Sequence, residues 1–557
     1  MSSIKAGQWS IFSPAVIRDA ISGRLGFQEQ FGTTYVSGAT QALVLKQNAI
    51  DSSATEGDAV LYAGTTNGGL YSLNYDYSTD SWATQWTWLS QPSGSADGFQ
   101  GNQGIGALAL SPDGTMIAVG MGNSSNFGPY TPNGVGLQFG SIQLDGSIEW
   151  LKPPSPDLLA GYPQLWNARD FVWRDDGLYI AISGVKGDVS KIYQLDVDET
   201  GQFLTPPKQV SSLFLPMALD GNLTGDSAVF YGFLYEGIFS IDSAGASSKI
   251  DAGSTDWNTL YATRFDNSEA IGRLVSEINP LDPDGRVLLI GWYQYENNIT
   301  TGSISHVDRL TLDADNTVTA VESIDFSGLA GSSQASPASL YGNYALGFDP
   351  RDDSLNTIYV GGNQYLSSHP DGATPYAYTG GLIRGDFTAG AIHAVFGPYA
   401  DAEGQLVDDS VFIGAPHADS RTLIHLRTLT GERVIQSDDG GVWQLLASET
   451  EPSGLSWQSL NRPGLHSLET MSSGWDARSN SLVQAFQDNA VSIAQLEDTY
   501  LSNVWGGDGN LAIVDGALPN DENAQVWSYV NAQQYMSSGF VAGMALEPSG
   551  AISQVEM

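Results

Sequence analysis

Short apolar runs of strand length, each closed off by Gly, Asn, Asp or Pro, recur along the whole chain and restrict its fold more than any other feature. The clearest case spans 105–120, where two β-rich runs flank Ser111-Pro112-Asp113-Gly114, a turn whose Pro and Gly suit its φ angles. Similar segments cover 60–74, 171–184, 227–242, 286–296, 344–362 and 422–443, with later elements at 481–487 and 510–515. Long helical periodicity is nearly absent.

A single antiparallel sheet of this kind leaves a face uncovered, and stacking such sheets radially buries both faces. The expectation is therefore an all-β chain: a single large β-propeller of about seven to nine four-stranded blades occupying residues 1–557. Too few residues follow Asp515 for another full blade, so the N-terminal segment is expected to supply a strand to the last one. The stretches 153–156 and 331–339 read as long loop insertions, and such loops tend to gather on one face and form a binding surface.

Composition agrees with this reading. Hydrophobic residues make up 41% and charged residues 15%, while 64 Gly and 24 Pro supply turns, and 14 Trp, 24 Tyr and 20 Phe supply flat packing groups. A formal charge of −40 repels phosphate backbones and anionic lipid heads, which argues against nucleic acid and leaves divalent cations, calcium above all, as candidate ions. There is no Cys, so disulfides, thiolate metal sites and thiol nucleophiles are excluded. The first residues have no continuous apolar core of the signal-peptide kind, and no window reaches the length of a membrane span.

Four motifs follow one another between 416 and 515. They are Pro416-His417-Ala418-Asp419-Ser420-Arg421, then Ser437-Asp438-Asp439-Gly440-Gly441-Val442-Trp443, then Gln487-Asp488-Asn489, then Gly506-Gly507-Asp508-Gly509. The second resembles an Asp-box, a hairpin in which Ser and Asp side chains bond turn amides, Gly accepts φ > 0 and Trp packs below. Thr66-Asn67-Gly68-Gly69-Leu70-Tyr71 looks like a weaker copy. As an ordered set the motifs resemble those of bacterial Asp-box propellers, related to sortilin-, sialidase- and xyloglucanase-type propellers and to propeller regions of large cyanobacterial and marine calcium-binding surface proteins. The resemblance implies a cell-surface or extracellular location without a classical signal peptide. It places the Asp-box, Ser437, Asp438, Asp439, Gly440, Gly441 and Trp443, on the outer rim in a structural role.

His417, Asp419 and Arg421 alternate along an expected strand and share a face, which suits a ligand carboxylate or polyol and equally suits an inter-blade Asp–Arg pair. With Gln487 and Asn489 these form the candidate ligand-binding set. Asp419, Asp488 and Asp508 are the candidate catalytic carboxylates, since paired carboxylates suit glycoside hydrolysis. Sialidase chemistry is disfavoured, because no Arg-Ile-Pro strand stands near the start. Asp196, Asp198, Asp282 and Asp284 supply hard oxygen ligands at alternate turn positions and are the candidate calcium ligands, with plain Asx turns as the competing explanation. Trp82, Trp86 and Trp88 suit either core packing or a sugar platform. Three functions fit: a non-catalytic propeller binding a glycan or a protein, a glycoside hydrolase, or a subunit of a self-assembling surface layer.

Overall fold

Alternation along each strand decides where its side chains go. In the strand Val287–Glu296, Leu288 and Ile290 enter one apolar cluster while Leu289 enters the next. Residues of one strand thus cover two different neighbours, and a flat stack of this kind closes only as a ring.

The computed structural model describes residues 17–18, 35–47, 59–66, 68–90, 104–121, 137–151, 168–182, 191–211, 219–220, 229–233, 237–264 (apart from 243 and 255), 272–278, 286–296, 301–325, 338–339, 345–366 (apart from 350, 351 and 353), 377–396, 420–446, 456–476, 480–486, 490–495, 498, 501–505, 508–515, 524–531, 540–546 and 552–556. Antiparallel sheets follow one another along the chain. We number them I (40–88), II (105–150), III (168–211), IV (219–249), V (272–325), VI (345–396), VII (422–459), VIII (470–505) and IX (508–556). Sheets V and VI are joined edge to edge through the short strand Ala338–Ser339, and the outer strand of sheet I is split in two. One helix, Trp257–Arg264, stands among the described residues, and Trp257 and Leu260 pack into the cluster between IV and V.

The first strand of each sheet touches the first strand of the next from I through VII, and the first strand of VII, Thr422–Thr428, returns to that of I, Thr40–Lys46. Each seam holds its own apolar cluster. Ala42, Val60 and Tyr62 of I meet Ile105 and Ile117 of II, and Phe139 of II meets Phe171 and Trp173 of III. The same arrangement continues around to VII and I, where Ile435 and Leu426 meet Leu43 and Trp86. The chain is a β-propeller.

Sheets VIII and IX lie off this cycle and pack on each other. Gly474 of VIII faces Val514 of IX, and the Ser472 hydroxyl donates to the Ala512 carbonyl at 3.2 Å. Sheet IX corrects one expectation: beyond Asp515 the strands Ala524–Asn531, Phe540–Leu546 and Ile552–Glu556 complete a four-stranded sheet. The late element at 510–515 belongs to the first strand of this sheet, Asp508–Asp515, so the chain beyond it has only three more strands to supply. The N-terminal strand Ile17–Arg18 lies parallel to Leu501–Trp505 of sheet VIII, with Ile17 opposite Leu501.

Every sheet is traversed in the same sense. The chain enters its first strand at what we term the upper end, so each second and fourth strand ends there and each third strand begins there. First and third strands end, and second and fourth strands begin, at the lower end.

Candidate functional site: the polar seam between sheets VII and I

The best-marked sequence motif lies at the upper end of sheet VII. Strand Gly431–Asp438 pairs with Gly441–Leu446, Asp438 opposite Gly441, so Asp439 and Gly440 form the turn. Asp438 Oδ1 accepts the Gly440 N–H and the Trp443 indole N–H, each at 2.9 Å. Gly441 has φ 116°, and a Cβ there would collide with the Asn461 side chain, so glycine is required on both counts. The Asp438 bond to a turn amide and the positive φ of Gly441 match the expectation, whereas Ser437 Oγ has no hydrogen-bond partner among the described residues and the surroundings differ from an outer rim. Ser437, Asp438 and Trp443 are fully buried, because two segments far apart in the chain cross over the turn.

One segment is 460–468, leaving sheet VII. Asn461 Oδ1 accepts the Val442 N–H at 2.9 Å and its Nδ2 donates to the Gly440 carbonyl at 2.9 Å. The other is 37–40, leading into sheet I, where the Ser37 N–H donates to the same Gly440 carbonyl at 2.8 Å. The two segments bond each other: Ser37 Oγ lies 2.8 Å from Ser467 Oγ and donates to the Leu465 carbonyl at 3.0 Å, and the Gly38 N–H donates to Ser467 Oγ at 3.0 Å. A Cβ on Gly38 would strike the Ser467 carbonyl.

Arg421 completes the seam. Its Nε donates to Asp439 Oδ1 at 2.7 Å, its Nη2 bonds the same oxygen, and Nη1 bonds Gln41 Oε1 of sheet I. The side chains of Arg421 and Asp439 are 4% and 8% exposed, so this is a buried ion pair within sheet VII, and the Arg421 bond to Gln41 carries it across to sheet I. Lower in the seam Trp82 Nε1 donates to Gln444 Oε1 at 2.9 Å, Trp86 Nε1 to the Leu460 carbonyl at 2.8 Å, and Arg462 Nη1 to the Trp82 carbonyl at 2.9 Å. Arg433 reaches Asp80 Oδ2 at 3.0 Å and lies over the Tyr75 ring. Burial lowers the His466 pKa and lifts that of Asp438 well above the carboxylate range, where neighbouring Asp439 adds to the effect and the Trp443, Gly440 and Gln436 bonds oppose it.

The sequence-derived residues distribute as follows. Arg421 belongs to the seam, bonded across it rather than turned to an open face, and Asp439, Asp438, Ser437, Gly440, Gly441 and Trp443 stand beside it. His417, Asp419, Gln487, Asp488, Asn489, Asp282 and Asp284 lie outside the described residues. Asp508 opens the strand Asp508–Asp515, opposite Asn531 in sheet IX. Asp198 sits in a lower-end turn of sheet III, its Oδ1 accepting the Thr200 and Gln202 amides at 2.8 and 3.0 Å, and Asp196 is exposed beside it. Among the described residues no group of three His, Asp or Glu side chains is placed to hold a metal ion. Trp82 and Trp86 are core residues of the VII–I seam, and Trp88 is half-buried against them.

The motifs did not include Gln41, Asn461, Ser37 and Ser467; Gln41, Ser37 and Ser467 lie hundreds of residues from their partners, and Asn461 follows the hairpin by about twenty. The only trace in sequence was Asn461-Arg462-Pro463-Gly464, a polar turn cluster directly after a strand.

No protein-family model matches the chain, and no curated protein matches it. Among solved structures it is similar to a GH74 enzyme from Niastella koreensis, at 12% identity and TM-score 0.48 over 94% of this chain and 73% of that one. It is also similar to the WD40 β-propeller domain of Doa1, at 8% identity and TM-score 0.36 over 76% and 97% of the two chains. A third is Chaetomium thermophilum Sqt1 bound to the N-terminus of ribosomal protein L10, at 11% identity and TM-score 0.35 over 88% and 94%. All three are distant likenesses, and the propeller assignment stands on the sheet contacts described above.

Proposed function

We propose that this chain is an extracellular or cell-surface binding propeller that holds a glycan or a protein partner at the upper end of the ring without breaking a bond in it. Sheets I to VII, residues 40–459, make the closed cycle of first-strand contacts, and sheet VIII packs on VI and VII through Phe486, Ala494 and Leu501. The observation that carries the reading is the difference between the two ends. At the lower end, turn after turn is clamped by an aspartate accepting its own backbone amides: Asp76, Asp113, Asp145, Asp198, Asp242, Asp313 and Asp386 each do so. At the upper end, by contrast, each sheet's last strand finishes and the next sheet's first strand begins, and variable surface belongs where the ends of a rigid scaffold's strands converge.

The acidic candidates Asp419, Asp488 and Asp508 supply the alternative, a glycoside hydrolase. A panel of polysaccharides separates the two: the proposal expects retention on at least one immobilised glycan or protein ligand with no release of reducing ends. Release that disappears in Asp419→Ala, Asp488→Ala or Asp508→Ala overturns it in favour of hydrolysis. Calcium is proposed as a structural aid; melting with and without a chelator checks it, and an unchanged midpoint removes it.

A second reading, self-assembly into a surface layer, has one observation in its favour. Met471 and Trp475 on the first strand of VIII, and Leu511 and Ile513 on that of IX, are exposed large apolar side chains on neighbouring strands. Sedimentation across a concentration series tests it; a single monomeric species throughout contradicts it.

A further inference from the structure

We propose that Asp438 is held as a neutral carboxylic acid in the native protein, and that its ionisation loosens the VII–I seam as the pH rises. The geometry comes from the hairpin itself. Asp438 is fully buried, and both donors it receives, from Gly440 and Trp443, go to Oδ1. Its second oxygen, Oδ2, has no hydrogen-bond partner among the described residues.

On the same strand, two residues back, the fully buried Gln436 donates its Nε2 to the Ser420 hydroxyl at 2.8 Å, while its Oε1 has no donor among the described residues. A buried acceptor left without a donor is costly. A proton on Oδ2 removes that cost for Asp438 by turning the bare oxygen into a hydroxyl. Sheet VI closes the site from the other side with Gly361, where even a Cβ would crowd Gln436 Oε1. The groups acting on Asp438 are the Trp443 indole, the Gly440 amide, the Gln436 amide and the Asp439 carboxylate. Asp439 is already matched by Arg421, so that guanidinium is committed and does not neutralise a second charge.

The sign follows from linkage. A carboxyl whose folded pKa is raised contributes stability that is complete below the unfolded value of about 4 and is lost as the pH climbs through the folded one. The seam is therefore tightest in mild acid. Ionisation places a second negative charge beside Asp439 under the 37–40 and 460–468 crossings.

The test is thermal melting of the full chain from pH 5 to pH 9, wild type against Asp438→Asn. Asn keeps an acceptor for Gly440 and Trp443 and presents an N–H where the proton is proposed. The expected result is a wild-type midpoint that falls with rising pH and a variant that melts at least as high at pH 8 with a flatter profile. An Asp438→Asn protein that melts lower at every pH with an unchanged slope overturns the proposal, since it means that Oδ2 is a charged acceptor. Infrared difference spectra of the wild type give a reading that does not depend on the variant folding: a protonated-carboxyl band at neutral pH that vanishes in step with alkaline loosening supports the proposal. Absence of that band in the native state contradicts it.

Discussion

Two seams of the same ring are closed by different chemistry. Between II and III, sheets adjacent in sequence, the contact is apolar: Phe139 and Trp173 pack edge to face in a cluster with Phe171, Ile180 and Tyr193. Between VII and I, separated by most of the chain, an apolar cluster of Leu43, Trp86, Leu426 and Ile435 is overlaid by the Arg421–Asp439 pair, the Asp438 hairpin and the crossings at 37–40 and 460–468. Sheets that follow one another in sequence are held near by their connection, and dispersion and burial suffice. Sheets brought together from the two ends of the array carry the full loop-closure cost. At that seam the structure adds directional groups, which fix register as well as proximity.

The comparison breaks most visibly at Arg421. Removing the guanidinium leaves Asp439 buried without its partner, and Arg421→Ala is expected to cost about 3–5 kcal/mol, seen as a lower denaturation midpoint. Replacing both partners, Arg421→Met with Asp439→Leu, is expected to recover most of that loss. A double variant as unstable as the single one would show that the seam depends on the charges themselves.

Phe171→Ala in the apolar seam is expected to cost about 3–5 kcal/mol by cavity formation, with no pH dependence added. Trp86→Phe keeps an aromatic ring but loses the bond to the Leu460 carbonyl and leaves a small cavity; about 1–3 kcal/mol is expected for the unpaired buried acceptor, with the cavity adding to it, again by equilibrium unfolding. Smallest is the lower end. Asp113 receives bonds from the Ser111 hydroxyl and from the amide and hydroxyl of Thr115, which hold its pKa below the usual range. Asp113→Ala is expected to cost about 0.5–1.5 kcal/mol. The stability Asp113 supplies is present above an unfolded pKa of about 4 and lost as the pH falls through the lowered folded value, so wild type and variant converge in strong acid. The lower-end aspartates and Asp438 thus carry opposite pH signs.

Local chemistry was readable from the sequence to the extent that it is local. The hairpin at 437–443 appears with its Asp, Gly and Trp in the expected positions, because a turn is specified by the residues within it. The hairpins at 60–74, 105–120, 171–184 and 227–242 are found with their strands in place for the same reason. Asp198 also shows what period and composition leave open: an alternating acidic turn satisfies a calcium rule and an Asx rule equally, and only its bonds to Thr200 and Gln202 show which donors it has taken. Burial of this hairpin was not legible, since it depends on Ser37 arriving from the far end of the chain and on Asn461 folding back over the turn. Arg421 was recognised as a group needing a carboxylate; that the carboxylate is Asp439 rather than a ligand follows from strand pairing.

The central claim is that the two ends of the ring meet where 37–40 and 460–468 cross. The absence of cysteine makes a direct test clean. Ser37 and Ser467, whose hydroxyl oxygens lie 2.8 Å apart across 430 residues of chain, are replaced together by cysteine and the protein is oxidised. The account predicts rapid formation of an intramolecular disulfide, read as faster migration on a non-reducing gel, with a gain in stability of up to about 5 kcal/mol. A folded double-cysteine protein that stays reduced, or crosslinks only between molecules, would contradict it.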